Sequence, residues 1–326
     1  MKAVLCKAWG PPESLLLEEC APLVAEPGKV VVSVKAAGVN FPDTLIIQNK
    51  YQHKPPLPFS PGSEVAGVVK AVGAGVEGWK VGERVIAQTT YGGFAEEVLA
   101  EPDHLIAMPE GMDFASAATL GLAYGTSYYG LIERGRLRAG ETLLVLGASG
   151  GVGIAAIEIG KILGAKVIAC ASNDAKLAVC RAHGADETIN YATEDMRARV
   201  KAITGGKGVD VVYDPVGGPY TEPALRDMAW GGRLLVVGFA AGDIPKIPLN
   251  LPLIKGCSIV GVWWGAFAKR DWAQHQANIA QLGHWFAEEK IKPHISATYP
   301  LARAADALNA LARREVAGKV VLTTDR

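Results

Sequence analysis

The residues with the most explicit chemistry in this chain are glycines. The run LLVLG passes into GASGGVG (147–153) and then into an apolar stretch with helical spacing, so Ala148, Gly150 and Gly153 hold the three positions of a G-x-G-x-x-G pattern, alanine first. A strand-to-helix turn of this kind lets backbone N–H groups at a helix N-terminus approach a phosphate, because no Cβ intervenes and the free donors carry partial positive charge. Tight turns need glycine with or without a ligand, so the loop by itself decides little. Its context decides more. It opens the first of a series of strand–helix–strand units, and the next strand ends about 24 residues on, where the adenine ribose of a dinucleotide lies. Ser149, Gly150, Gly151 and Val152 are therefore the expected pyrophosphate contacts.

The end of that second strand selects the dinucleotide. An Asp or Glu there binds a free ribose 2′-hydroxyl and repels a 2′-phosphate. This chain has Ser172, followed by Asn173, and Lys176 on the first turn of the next helix, all suited to a phosphate. NADPH is thereby favoured over NADH. Asp174 is the counter-candidate: a two-residue shift of the strand end makes it the ribose acid, and its plain reading is the N-cap of the following helix.

These residues need particular elements to hold them. At 326 residues the chain is long enough for two domains and a core without disulfide or metal staples. Residues 1–107 read as short β-rich pieces between Pro and Gly clusters, such as KVVVSVKAAGV and SEVAGVVKAVG. From residue 141 strands and helices alternate, which means a parallel sheet of doubly wound type, here with six strands. After residue 265 come an amphipathic helix near 271–290, a strand ISATYPL, a helix near 302–315 and a last strand GKVVL. These pieces are extra to the six-stranded sheet, so the tail is expected to return to the first domain. The expected division is 1–122 with 266–326 for a β-rich domain and 123–265 for the dinucleotide domain.

Composition narrows the class. Lys+Arg and Asp+Glu both number 33, and no basic run reaches five residues, so no electrostatic footprint for nucleic acid or anionic lipid exists. The five cysteines are scattered without a C-x-x-C pair, which fits reduced thiols in a cytoplasmic protein. The N-terminus reaches Pro11 before building a signal-peptide core. The uncharged run 114–132 carries serine, threonine and three tyrosines and reads as a buried helix rather than a membrane span.

End to end the chain resembles the zinc-independent quinone oxidoreductases of the medium-chain dehydrogenase/reductase superfamily, zeta-crystallin-like proteins among them. The resemblance rests on AAGVNFPDTL (36–45), PGSEVAGVV (61–69), GLAYGTSYYGL (121–131), GASGGVG, DPVGG (214–218), VVGFAAG (236–242) and the closing GKVVL. It implies a GroES-like catalytic domain beside a Rossmann domain. At the positions where alcohol dehydrogenases of that superfamily carry zinc ligands, this chain has Asn40, Phe41 and Ser63, and no structural-zinc cysteines lie between residues 91 and 107. No metal is expected. Without a Lewis acid, simple alcohol oxidation lacks a way to stabilise an alkoxide, whereas quinones and α,β-unsaturated carbonyls spread the developing charge by conjugation.

The resemblance also places residues. Asn40 lies beside the nicotinamide ribose, with an Asx turn as its plain alternative. Asp43 reads as a helix cap. Tyr51 lines the substrate pocket or is an exposed loop residue, while Leu45 stands where relatives have a second tyrosine. Thr126 meets the nicotinamide side, Tyr191 joins Lys176 at the adenosine phosphate, and Lys319 reaches the cofactor or is a solvated edge-strand lysine. By topology alone, the segment 214–217, with Val216, and Phe239 sit at the cofactor edge of the sheet. The leading expectation is an NADPH-dependent reductase passing hydride to a quinone or enone, with a proton from water or Tyr51. A 2-enoyl thioester reductase and a crystallin-like structural or RNA-binding protein are the alternatives. The segment CSIVGVWWGAF (257–267) reads as the last, apolar edge strand, through which two subunits are expected to pair.

Overall fold

The computed structural model describes residues 1–324, so positions 325–326 of the expected first domain lie outside the described residues. In chain order the strands are β1 (Lys2–Leu5), β2 (Leu16–Glu19), β3 (Val30–Val39), β4 (Glu64–Val72), β5 (Arg84–Gln88), β6 (Glu97–Ala100), β7 (Leu105–Ala107), β8 (Thr142–Val145), β9 (Lys166–Ala171), β10 (Glu187–Asn190), β11 (Val209–Asp214), β12 (Met228–Val236), β13 (Ser258–Gly261), β14 (Ile295–Pro300) and β15 (Lys319–Thr323).

The chain divides into two compact units: Met1–Leu122 with the chain from Pro293 on, and Ala123–Lys292. In the first, the sheet runs β14-β15-β3-β4-β5-β7 with β6 also on β3, and β1 pairs with β2. Its valine-rich centre, β3, is buried along almost its whole length, and Val30, Val32, Val34, Val65, Val85, Phe94, Val320 and Leu322 fill one core. β15 pairs antiparallel with β3 through Val320 to Val39 and Leu322 to Ala37, so the C-terminal strand closes this unit.

The second unit is a six-stranded sheet, β10-β9-β8-β11-β12-β13, parallel throughout. Helices Gly151–Ile162, Asp174–Ala182, Met196–Ile203 and Thr221–Arg226 cross between successive strands. Because helices cover both faces, β8, β9 and β11 are buried along nearly their whole length, β8 and β9 as near-continuous runs of Val, Ile, Leu and Ala. Parallel strands end at one edge, and residues 146, 172, 191, 215 and 237 leave from there.

Two expectations are corrected. The chain returns to the first unit at Pro293, not at 266. Helices Trp264–Arg270 and Trp272–Ala287 stay with the second unit because their apolar stripe is spent there: Phe267 stacks on Tyr129 at 4.1 Å, Trp285 packs on Tyr128 at 5.5 Å, and His275, Ile279 and Leu282 are buried. The expected strand 257–267 is only Ser258–Gly261; Trp263 turns the corner and Trp264 opens a helix, so strand alternation does not govern the two tryptophans. The uncharged run is helical, widening to i→i+5 bonding over Leu120–Tyr124 and Tyr129–Arg134. No helix among the described residues is long and apolar enough to cross a membrane.

Candidate active site

In the second unit, β8 ends at Val145 and the Gly151–Ile162 helix begins six residues later, with Gly150 at its N-cap and no side chain bonded to the cap. Two glycines of this loop differ in kind. A Cβ on Gly153 would lie 2.6 Å from the carbonyl oxygens of both Gly147 and Ala148, so the fold itself requires that glycine. Gly150 has φ −76° and ψ 169°, open to any residue, and a Cβ there would meet only the Gly147 oxygen, at 3.4 Å. Nothing packed against position 150 requires glycine there, and the space beside it stays open. The first-turn donors of a twelve-residue helix, uncapped and unobstructed, fit a pyrophosphate. Ser149 is buried in the loop, and Gly151 and Val152 form the first turn.

Along the same edge, Ser172 is exposed just past β9 and Lys176 is half-buried in the first turn of Asp174–Ala182. The N-cap is Asn173, whose Oδ1 accepts from the Lys176 N–H at 2.9 Å, not Asp174. Asp174 instead accepts from Asn190 Nδ2 at 3.0 Å, which ties up one of its oxygens at the strand end. Tyr191 donates its N–H to Ala171 O at 3.1 Å and packs its ring 4.4 Å from that of Tyr220. Asp214 builds its own turn, accepting from the N–H groups of Val216 (2.9 Å) and Gly217 (2.8 Å) and from the Thr221 hydroxyl (2.6 Å). Phe239 lies against Gly217. Thr126 is buried, and its hydroxyl takes no partner among the described residues, so the carbonyl-bonded alternative for it does not hold.

The first unit holds a buried polar cluster. Asn40 caps the helix Phe41–Ile46, and Asp43 is the third residue of that helix, accepting from the Asn40 N–H at 2.7 Å. The Asn40 amide is turned inward: Nδ2 lies 3.2 Å from Gly38 O and 3.4 Å from Glu64 Oε2, and Oδ1 accepts from Lys319 Nζ. Lys319 also donates to Val39 O at 3.2 Å and stands 3.8 Å from Glu64 Oε2. β15 lies between β14 and β3, so Lys319 is neither a solvated nor an edge lysine; it is buried. Glu64 accepts in addition from the Leu122 N–H at 2.7 Å.

Burial dominates the charges here. It pushes the Asp43 carboxyl up to about 7 against the pull of the Asn40 N–H and of Lys319, raises Glu64, and lowers Lys319. Tyr51 packs half-buried on the same core, and burial and the Asp43 charge both raise its phenol. Sequence reasoning misses Glu64, and it reads Asp43 only as a helix cap, a role that its bond from the Asn40 N–H bears out. The sequence shows an acid and a lysine each at the start of an apolar strand run, EVAGVV and KVVL, but not that the two strands flank β3 and so bring Glu64 and Lys319 together. An asparagine amide committed to an ammonium is no zinc ligand, and the ammonium itself repels a dication. The residues present do not fit that metal.

Residues 26–110 match the family model of the alcohol dehydrogenase GroES-like domain, and residues 151–281 that of the zinc-binding dehydrogenases. The chain is 36% identical to quinone oxidoreductase-like protein 2 of Rattus norvegicus, over 99% of this chain and 92% of that one. It is 34% identical to the quinone oxidoreductase of Homo sapiens, over 99% and 97%. Among solved structures it matches Escherichia coli quinone oxidoreductase complexed with NADPH, with a TM-score of 0.92, 31% identity, and coverage of 99% and 100%.

Proposed function

This chain belongs to the quinone oxidoreductase branch of the medium-chain dehydrogenase/reductase superfamily and is an oxidoreductase, and from that premise we propose that it reduces a quinone or another conjugated carbonyl with NADPH, without zinc. The observation that supports the reading is Gly150, a position that the fold leaves open, at a helix start that no side chain caps. NADPH, when bound, supplies hydride from nicotinamide C4.

The chain's own residues do the rest. The N–H groups of Gly151 and Val152 receive the pyrophosphate, with Ser149 shaping the loop and Gly150, whose own N–H is donated to Gly147 O at 3.0 Å, leaving room beside them; Ser172, Lys176 and Tyr191 receive the 2′-phosphate; Val216 and Phe239 wall the edge of the sheet. Asp174, held by Asn190, leaves the 2′-position to Ser172 and Lys176. Thr126 offers a spare hydroxyl on the nicotinamide side. In the first unit, Asn40 is held by Lys319 and Glu64, and the proton for the reduced acceptor comes from water or Tyr51. Conjugated carbonyls suit a site with no Lewis acid, because charge is delocalised rather than fixed on one oxygen. Five free cysteines support a cytoplasmic protein, and the exposed edge strand β13 supports a homodimer.

NADPH should bind at least about tenfold more tightly than NADH, and Lys176→Ala should remove most of that preference, since a charge-assisted phosphate bond is worth about 1.5–3 kcal/mol. Titrating nicotinamide fluorescence checks this; equal losses for both cofactors would reject the assignment. NADPH oxidation measured in the presence of chelator against quinones, enones and enoyl-CoA thioesters then tests the acceptor. Turnover confined to the thioesters would replace this reading with an enoyl reductase.

A further inference from the structure

Four buried polar side chains in the second unit have no part in the chemistry above. Ser127 donates its hydroxyl to Val152 O at 2.8 Å, and Tyr213 stands 2.9 Å from the same Ser127 oxygen, so the phenol is the donor of that second bond. Tyr124 donates to Glu158 Oε2 at 2.7 Å. Ser127, Tyr213 and Tyr124 are sealed from solvent and Glu158 nearly so. Glu158 is held on its other side by His183 Nδ1 at 2.7 Å and by the Lys292 N–H at 3.2 Å.

The pattern joins the two elements that matter for a dinucleotide. Val152 is in the first turn of the helix whose N-terminus faces the pyrophosphate, and Glu158 lies on that same helix six residues on, about 9 Å along the axis. Ser127 and Tyr124 lie on the helical run that carries Thr126. One attachment between two helices is a pivot; two, separated along the axis, fix translation and rotation together. Burying hydroxyls and a carboxylate gains little stability over an apolar contact of the same shape, so the polar choice specifies geometry.

We propose that Ser127, with Tyr213 behind it, and Tyr124, with Glu158, are positioning residues that set the place of Thr126 relative to the pyrophosphate loop, and so align the nicotinamide half of NADPH with the half bound at 149–152. The proposal rests on the dinucleotide reading given above. Burial raises the phenols of Tyr213 and Tyr124, which stay protonated and act as fixed donors, not as acids in the reaction.

The test separates the two halves of the cofactor. In the full chain, Ser127→Ala, Tyr124→Phe, the double variant and Tyr213→Phe are compared with wild type for affinity to 2′,5′-ADP, affinity to NADPH, kcat, KM and the pH profile. The double variant should hold 2′,5′-ADP within about twofold, bind NADPH about tenfold more weakly, and lose kcat without moving any pH limb. Tyr213→Phe, which deletes one oxygen, should shift the same ratio in the same direction by less. An unchanged ratio of NADPH to 2′,5′-ADP affinity, or a parallel loss of both, overturns the proposal. Should the double variant not fold, Tyr213→Phe decides on the same ratio. A wild type that binds neither ligand instead rejects the dinucleotide reading itself.

Discussion

At the scale of single residues, two glycines three positions apart have opposite causes. Gly153→Ala drives a methyl into two carbonyl oxygens 2.6 Å away, and should cost about 2–3 kcal/mol of unfolding free energy. Gly150→Val meets no such obstacle and should leave stability within about 1 kcal/mol while weakening NADPH about tenfold or more. Melting curves and cofactor titrations on the pair check this, and the reverse pattern would mean that the loop is only a turn. Asp43 is a second residue-scale case. Its folded value of about 7 lies above an unfolded value of about 3.9, so the folded chain keeps a proton that the unfolded chain has lost. Stability from this group is therefore complete below about pH 4 and is lost as pH rises toward 7, by up to roughly 4 kcal/mol, shared with Lys319 and Glu64. Asp43→Asn cannot ionise, so its stability minus that of wild type should climb between pH 4 and pH 8 in urea unfolding. A flat difference would show that Asp43 ionises freely.

At the scale of elements, β15 is the strap that closes the first unit, and it brings Lys319 onto Glu64 at the start of β4. Removing one partner leaves a buried charge, so Lys319→Met should cost about 3–5 kcal/mol, and adding Glu64→Gln should recover a large part of that loss. Denaturation of the two single variants and the double closes the cycle; additive losses would mean that the pair does not interact. This pairing also marks where the sequence stopped being legible. The strands β8 and β9 could be read because sheets covered on both faces need uninterrupted runs such as TLLV and KVIACA. Which strand adjoins which, and hence that an acid near residue 64 meets a lysine near 319, is a long-range fact with no local pattern. The helix Trp272–Ala287 shows the same limit: its apolar stripe was evident, but the stripe does not name the body it faces. The end of β13 failed for another reason. β-branched and aromatic residues fit both a strand and the corner at Trp263, and the choice is made by the turn there, φ −107° and ψ 78°.

At the scale of the whole molecule, the question is what covers β13. It is the last strand of its sheet, and Ile259 is exposed on it. In the same unit, Trp263 is 61% exposed, Trp230, whose ring lies beside Gly256, 82%, Leu249 82% and Leu253 77%. An open apolar edge of this kind is a hazard for a lone chain, and a two-fold axis that pairs β13 with its copy removes it from both at once. With 33 charges of each sign, no global repulsion opposes the pairing. A proline at Val262 is a poor probe, because the Val262 N–H is already committed to Val236 O at 2.9 Å and the substitution would damage the sheet itself. A charge on the exposed edge is the cleaner probe, since lysine at an edge blocks pairing without touching the interior. Light scattering at micromolar concentration should give twice 34.3 kDa for the wild type and 34.3 kDa for Ile259→Lys, with near-equal melting temperatures at high dilution. A monomeric wild type, or an Ile259→Lys dimer as tight as the original, would put the interface elsewhere and leave β13 to be covered by some other means.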